Sequence, residues 1–414
     1  MKYINKLINN VPVTIINTNK FKSVFISLYF KSPVTKENVT TRSLLRSILI
    51  ESCKKYNTSE KLYMNTLENY DAYYLATSSR MGNYIVSAFK VSSLMDKYTK
   101  KNNLKDVIDT FCEIVFNPLV DNNHFDKDTF KMVLDKKRVE LQKIVEESRS
   151  YAERMLYKNL NNNKCYSYVS DEKYLDNITE QSLYEEYKKM LEESEVSLIV
   201  CGDIDEEILN PIIDKINNNR KYEKELIITN DDEKGEIKEI IDNGYGMQNI
   251  LNMVMYIKNT SEYELNFIAP LYRIILGGYS SSRLFNKIRE ENSLAYYSFA
   301  RLEKDDSFIN IIMGISKESY KKVKDLTFKI VESMKKITNE ELENAKKEMI
   351  NALLESQDDI SNVVSREYNR QTFHLPTTEE YINKLNSVTK KEVETFAKKI
   401  KPNLIYFLQG GSNE

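Results

Sequence analysis

Hydrophobic and polar positions are arranged along the chain so that they predict the same order of elements twice. In the first half, the run 24–30 is rich in β-branched and aromatic residues and predicts a strand. An apolar stripe with helical spacing follows and predicts a helix over about 42–54, capped by Thr40 or Thr41. The stripe consists of Leu44, Leu45, Ile48 and Leu49. Further elements are predicted as a helix over 59–69, a strand over 84–91 and long helices to about residue 160.

The second half repeats this order. A helix that starts at Thr338 has Glu341 three residues later, which is the pattern of a capping box. Each half closes on a capped helix followed by a strand, over 179–203 and 389–408. The other matching elements are a strand at 251–257, a helix at 265–276 and a strand at 307–315. The repeated order predicts an internal duplication.

A polar stretch with clustered charge separates the halves, at 217–220 and 230–236. It predicts two domains, 1–225 and 226–414, with the boundary near residue 225. Strands and helices do not alternate strictly in either half. This favours an α+β fold, with mainly antiparallel sheets covered by helices, over a doubly wound parallel sheet.

Composition limits the classes of function. The chain has 414 residues, of which 41% are hydrophobic and 29% charged, a balance typical of globular proteins. The net charge is −2 and the basic residues are scattered, so no nucleic-acid partner is expected. The sequence has neither a signal-peptide pattern nor an apolar run long enough for a membrane span. These features predict a soluble cytoplasmic protein whose four widely separated cysteines are buried thiols.

Histidine is scarce. The chain has only His124, in a polar run, and His374, before a Leu-Pro pair at a predicted helix end. Neither has a second histidine or a cysteine nearby in the sequence. A His-rich metal site within this chain is therefore not expected.

The most specific segment is 276–296, which reads Leu-Gly-Gly-Tyr-Ser-Ser-Ser-Arg-Leu-Phe-Asn-Lys-Ile-Arg-Glu-Glu-Asn-Ser-Leu-Ala-Tyr. Val-Phe-Asn-Pro-Leu at 115–119 and Val-Cys-Gly-Asp-Ile-Asp at 200–205 accompany it. With the order of elements, these segments resemble the M16 zinc peptidases, the insulinase and processing-peptidase family, across nearly the whole chain. The resemblance implies two homologous domains of the LuxS/MPP-like metallohydrolase type.

The family's zinc motif is degenerate in this chain. The family carries His-x-x-Glu-His on its first helix, where two histidines bind zinc and the Glu acts as general base. A Glu from a later helix completes its site. The corresponding positions here are Arg42, Leu45 and Arg46, followed by Gln142 and Lys143 where the family usually has Glu-Glu.

Arginine repels a cation and leucine accepts no proton, so the resemblance implies no metal in this chain and a zinc site in a partner. A shifted register would bring Glu140 forward as a displaced ligand, but one carboxylate is a poor zinc site. Arg42 and Arg46 are open to two interpretations. They belong to a solvated helix face or ion pair, or they bind substrate.

Arg289 and Tyr296 lie seven residues apart and match the family's Arg/Tyr pair, which binds the substrate backbone and the oxyanion. A guanidinium and a phenol are suitable donors to a developing negative charge. The alternative is that Arg289 pairs with Glu290 or Glu291 and that Tyr296 is a core residue.

Three hypotheses follow. The first is a zinc-free subunit, inactive alone, that supplies Arg289 and Tyr296 to an M16 partner carrying His-x-x-Glu-His. The two chains form a chamber for short or unfolded peptides, and a homodimer is also compatible with the sequence. The second is a proteolytically inactive scaffold or peptide-binding protein. The third, a self-sufficient peptidase with an unusual metal site, is disfavoured by the two distant histidines.

Overall fold

The computed structural model describes residues 1–160, 164–216, 220–222, 237–244 and 248–411. Its strands are β1 Lys2–Ile8, β2 Val11–Asn17, β3 Ser23–Pro33, β4 Tyr73–Met81, β5 Tyr84–Leu94, β6 Val120–Asp121, β7 His124–Phe125, β8 Glu195–Gly202, β9 Lys238–Gly244, β10 Asn249–Ile257, β11 Ala295–Glu303, β12 Phe308–Ile315 and β13 Ile400–Gly410. Its α-helices are α1 Lys36–Leu49, α2 Ser59–Glu68, α3 Asn103–Phe116, α4 Lys127–Glu146, α5 Ser148–Asn159, α6 Glu172–Leu175, α7 Glu180–Glu193, α8 Asn210–Ile213, α9 Ala269–Gly277, α10 Tyr320–Ser333, α11 Asn339–Glu355, α12 Ile360–Thr372, α13 Thr378–Ser387 and α14 Lys390–Ala397.

The chain divides into two compact units, each discontinuous in sequence. The boundary predicted near residue 225, and most of the linker stretch predicted around it, lie outside the described residues. In their described parts, unit 1 takes Met1–Leu141, Tyr168–Ile228 and Ser356–His374, and unit 2 takes Gln142–Ser167, Thr229–Glu355 and Leu375–Glu414.

Unit 1 contains a six-stranded sheet in the order β1-β2-β8-β3-β5-β4. Within its described strands, β2 and β8 form the parallel pair and the other neighbours are antiparallel. One face packs against helices that include α1, α3 and α7, and α12 covers the other face. Tyr29 of β3 stacks on Tyr368 of α12, with ring centroids 3.8 Å apart. The central strand is therefore buried on both faces, which explains its continuous apolar run.

Unit 2 contains a five-stranded sheet in the order β11-β12-β10-β13-β9. Here β13 and β9 are parallel, and the other described neighbours are antiparallel. Helices α9, α11 and α14 contribute to the core on one face, and α5 covers the other. Unit 2 thus takes α5 from the first half of the sequence, and unit 1 takes α12 from the second half.

The predicted fold class is confirmed, because two mixed sheets are each covered by helices in an α+β arrangement. The predicted start of the first helix is wrong. The helix begins at Lys36 because Thr35 accepts from the backbone N–H of Asn38, whose side chain bonds back to Thr35 in a capping box. It ends at Leu49, with Ile50 as its C-cap.

Candidate functional site

Arg42 lies on the buried face of α1, with 3% of the residue exposed. Its Nε donates to Oε1 of Glu186 on α7 at 2.5 Å, and Nη2 donates to Ser32 Oγ at 3.4 Å. Burial lowers the pKa of this guanidinium and the Glu186 carboxylate opposes the effect, so Arg42 stays charged at neutral pH. The structure thus places Arg42 in an ion pair, which belongs to the first of the two interpretations from sequence.

Leu45 and Arg46 complete the degenerate motif. Leu45 is fully buried in the core of unit 1. Arg46 is half-buried, and its Nη1 lies 3.5 Å from the carbonyl oxygen of Ala76 on the edge strand β4. Its Nε is buried and finds no hydrogen-bond partner within the described ranges. The first helix therefore offers only cations and an aliphatic side chain where the family has metal ligands.

The positions on α4 that correspond to the family's later Glu-Glu pair also provide no metal ligand. Gln142 and Lys143 are exposed. Glu140, the alternative ligand, accepts from Nζ of the buried Lys137 at 2.8 Å. This carboxylate already has a cation partner within its own helix.

The residues at these positions do not fit zinc. Guanidinium groups are donors only, and leucine has no lone pair to offer. Nowhere in the described part of the chain do three His, Cys, Asp or Glu side chains gather as a metal site requires. His124 and His374 are exposed; Nδ1 of His124 lies 2.7 Å from the carbonyl oxygen of Asn122.

Arg289 lies on a π-helical turn, Phe285–Glu290. Such turns are rare and are frequent at functional sites. The guanidinium lies over the Phe285 ring, 4.8 Å from its centroid, and its side chain is 46% exposed. The pairing with Glu290 expected as the alternative is present but long, because Nε lies 3.9 Å from the Glu290 carboxylate oxygen, too far for a charge-assisted hydrogen bond. The donors of Arg289 are therefore available to a ligand.

Tyr296 is the extra residue of a β-bulge at the start of β11. Ala295 pairs with Ile315 and Tyr297 with the adjacent Gly314, so no residue of β12 lies opposite Tyr296. Bulges redirect a side chain away from the normal alternation of a strand. Tyr296 is 78% exposed, and its hydroxyl bonds to no residue that the structure describes. The alternative that Tyr296 is a core residue is wrong.

Gly277 explains part of the motif before Arg289. A Cβ at Gly277 would lie 2.7 Å from the backbone nitrogen of Ala300 and 2.8 Å from a methyl group of Leu284. Only glycine permits α9 to approach β11 this closely. This contact fixes the helix before the π-helical turn against the strand that follows it.

Arg283 fixes the same segment from another side. Its Nε and Nη2 donate to the two carboxylate oxygens of Glu341 at 2.6 and 2.8 Å. Nη1 donates to Ser333 Oγ, and Nη2 also donates to the carbonyl of Lys336, both at 2.8 Å. Arg283 is thus a structural residue that joins the segment 276–296 to the end of α10 and the start of α11.

Sequence reasoning missed Glu186, which is 144 residues from Arg42. One signal could have found it. Glu186 falls within the apolar stripe of α7, three residues after Leu183 and four before Met190, where a carboxylate requires a buried partner. The sequence did not identify that partner.

Comparisons with known proteins agree with this geometry. Residues 177–349 match the family model described as the peptidase M16 inactive domain. The chain is 26% identical over 425 residues to the "probable inactive metalloprotease YmfF" of Bacillus subtilis (strain 168), with 99% of both chains covered. A conserved protein from Enterococcus faecalis V583 superposes with a TM-score of 0.89 at 26% identity, covering 100% of this chain and 99% of the other.

A second solved structure, a peptidase M16 inactive domain from Pseudomonas fluorescens, has a TM-score of 0.78 at 16% identity. It covers 100% of this chain and 99% of that chain, and at this identity it shows the shared fold. No described helix is long and apolar enough to cross a membrane. The order of elements, the segment 276–296 and these matches together show an M16-like fold over the whole chain, with residues 177–349 matching the peptidase M16 inactive domain.

Proposed function

We propose that this chain is the zinc-free, substrate-binding subunit of a heteromeric M16 metallopeptidase. A partner chain carries His-x-x-Glu-His and zinc, which supplies the activated water. This chain contributes Arg289 and Tyr296, and it hydrolyses nothing alone. Short or unfolded peptides are the proposed substrates, because a closed chamber selects by size and flexibility.

The observation that carries the proposal is a contrast in one chain. On α1, which carries the degenerate zinc motif, Arg42 is buried and paired with Glu186 of α7. Arg289 and Tyr296, in contrast, are exposed on a π-helical turn and a β-bulge. π-Helical turns and β-bulges are both frequent at functional sites, and here they carry solvent-accessible donors. They are suited to a ligand that comes from outside the chain.

The chemistry follows from the donor types. Water attack on a peptide carbonyl develops negative charge on the carbonyl oxygen, and fixed donors stabilise that charge more than the ground-state oxygen. The Arg289 guanidinium supplies a permanent positive charge, and the Tyr296 hydroxyl supplies a neutral donor. Arg289 lies on a hydrogen-bonded helical turn and Tyr296 in a paired strand, which limits the reorganisation needed on binding.

The test is reconstitution. The chain is purified under mild conditions from its own cells, and native mass spectrometry determines whether a second polypeptide of similar size and one zinc accompany it. The complex is then assayed with a quenched-fluorescent unfolded peptide, using wild-type, Arg289→Ala and Tyr296→Phe chains. Hydrolysis that needs both chains and is lost in the variants supports the proposal.

Two results contradict it. A complex that hydrolyses peptide equally well with Arg289→Ala excludes the proposed role of this residue. A partnered chain that binds peptide without turnover favours the inactive scaffold.

A further inference from the structure

Helix α2 in unit 1 presents apolar side chains to solvent on its outward face. Tyr63, Met64 and Leu67 are 60%, 51% and 46% exposed. They lie at i, i+1 and i+4, so they share one side of the helix, and we call them the α2 stripe. A surface helix normally turns such residues toward the core and its polar residues toward water. The stripe is therefore the reverse of the ordinary pattern.

The inner face of α2 completes this reversal. Asn65 and the C-cap residue Asn69 are buried there, beside Leu62. Nδ2 of Asn65 donates to the Tyr56 hydroxyl, and Nδ2 of Asn69 donates to the carbonyl oxygen of Asn65, both at 2.9 Å. The Oδ1 atoms of the two amides are buried without a described partner. Buried, half-satisfied amides cost free energy, so this orientation of α2 does not serve the stability of unit 1.

Two carboxylates flank the stripe. Glu60 lies one helical turn before Met64 and Glu68 one turn after it, and both are exposed. Neither forms a hydrogen bond or an ion pair within the described residues. The cation of α2, Lys61, is bonded to the amide oxygen of Asn57.

The position of Glu68 is itself unfavourable. It lies in the last turn of α2, where the helix dipole is negative, and no basic residue of that turn compensates it. A cation from outside the helix would compensate both the dipole and the carboxylate. The charges around the stripe therefore favour a basic partner.

The size of the stripe limits what covers it. Three side chains, each about half exposed, present on the order of 300 Å² of surface, against about 800 Å² per partner in a stable protein–protein interface. This area suits one helix of a partner. A second copy of this chain does not fit, because two α2 helices face to face would bring together more carboxylates than lysines.

We propose that the α2 stripe is the docking site of a basic amphipathic helix from another polypeptide. Apolar side chains of that helix, at i, i+3 and i+4, pack on Tyr63, Met64 and Leu67. Lysine or arginine on its flanks pairs with Glu60 and Glu68. The inference concerns unit 1 alone and does not depend on the proposed hydrolysis.

The test measures binding of two fluorescein-labelled peptides of about 18 residues, long enough for a helix, to the full chain by fluorescence anisotropy. Both carry leucines at helical spacing. One has lysines beside them, and the other has glutamates in their place. The wild-type chain should bind the lysine peptide at least about tenfold more tightly than the glutamate peptide.

The double variant Met64→Ser with Leu67→Ser should bind the lysine peptide at least about tenfold more weakly than wild type. Met132→Ser with Leu354→Ser is the matched control, because it makes the same substitutions at exposed sites on α4 and α11. The control should keep the wild-type affinity. Both double variants should melt within about 3 °C of wild type, which separates lost docking from unfolding.

The charges are tested separately. Glu60→Gln with Glu68→Gln should weaken binding of the lysine peptide about fivefold and leave the glutamate peptide no weaker than before. Equal affinity of the wild-type chain for the two peptides, or binding of neither, overturns the inference. So does a Met64→Ser with Leu67→Ser chain that binds as wild type does.

Self-association is the remaining outcome. Sedimentation velocity compares the wild-type chain with the Met64→Ser, Leu67→Ser variant. A wild-type dimer that this variant converts to a monomer would show that a second copy covers the stripe, and it would overturn the proposed partner. The same oligomeric state for both chains, together with selective binding of the lysine peptide, supports the proposal.

Discussion

The first helix of unit 1 and the segment 285–296 of unit 2 carry similar groups in opposite states. Arg42 is 3% exposed and bonded to Glu186, whereas the Arg289 side chain is 46% exposed and lies 3.9 Å from the Glu290 carboxylate oxygen. Tyr296, at 78% exposure, has no counterpart on α1. The difference teaches that Arg42 is paired inside the chain, whereas Arg289 and Tyr296 remain accessible to solvent.

The largest expected effect on stability comes from breaking the Arg42–Glu186 ion pair. Arg42→Ala leaves Glu186 shielded and unpaired, so we expect the free energy of unfolding to fall by about 4 kcal/mol. Urea unfolding measures this. The double variant Arg42→Met with Glu186→Leu should recover most of the loss, because a well-packed apolar pair carries no desolvation penalty.

Arg138→Ala, at an exposed pair, is the control and should change stability by less than about 1 kcal/mol. An Arg42→Ala chain that unfolds at the wild-type urea concentration would show that the ion pair does not hold the helix.

The next largest effect is expected on peptide hydrolysis, when Arg289 or Tyr296 is substituted. Arg289→Ala should lower hydrolysis by the complex about 100-fold, since it removes a charged donor to the developing oxyanion. Tyr296→Phe should cost about tenfold, the effect of one lost neutral hydrogen bond. Steady-state kinetics with the quenched-fluorescent peptide measure both. Lys287→Ala, which removes an exposed cation from the same turn, should retain full activity.

A smaller effect on stability is expected from Arg283, which joins the segment 276–296 to α10 and α11. Arg283→Ala removes four hydrogen bonds, two of them to the partly buried Glu341 carboxylate, and we expect a loss of about 2 kcal/mol in unfolding free energy. Lys287→Ala serves again as the control. Equal urea midpoints for the two variants would contradict a structural role for Arg283.

The Arg283–Glu341 pair also predicts a pH dependence. Burial raises the pKa of Glu341, but the hydrogen bonds from Arg283 and from the backbone N–H of Thr338 outweigh it and hold the pKa below the ordinary 4.5. A lowered folded-state pKa stabilises the fold above pH 4.5, and this contribution is lost as the pH falls through the folded-state value. Below pH 4.5, the stability of Glu341→Gln should therefore fall less steeply than that of wild type.

The smallest effect concerns the close contact between Gly277 of α9 and Ala300 of β11. Gly277→Ala forces a Cβ against the backbone of Ala300, and we expect a destabilisation of about 1–2 kcal/mol. Gly244→Ala is the control, because its Cβ meets the side-chain methyl group of Leu408 and no backbone atom within the same distance. A larger loss of unfolding free energy in Gly244→Ala than in Gly277→Ala would contradict this prediction.

Local patterns predicted most of the elements, because periodicity and caps act over a few residues. The capping box at Thr338 and the closing helices at Thr179 and Thr389 are present as predicted. The start at Lys36 was missed, because Asn38 completes a capping box with Thr35 less obviously than Glu or Gln does. The exchange of α5 and α12 was also missed, since an amphipathic helix does not encode which sheet it covers.

The sequence by itself determined the duplicated α+β order, the identity of the degenerate motif residues and the Arg289–Tyr296 spacing. All of these depend on residue type and short-range pattern. Only the tertiary structure decided that Arg42 is buried against Glu186 and that a bulge exposes Tyr296. Burial and pairing are set by residues 144 positions away and by strand register, which no local window contains.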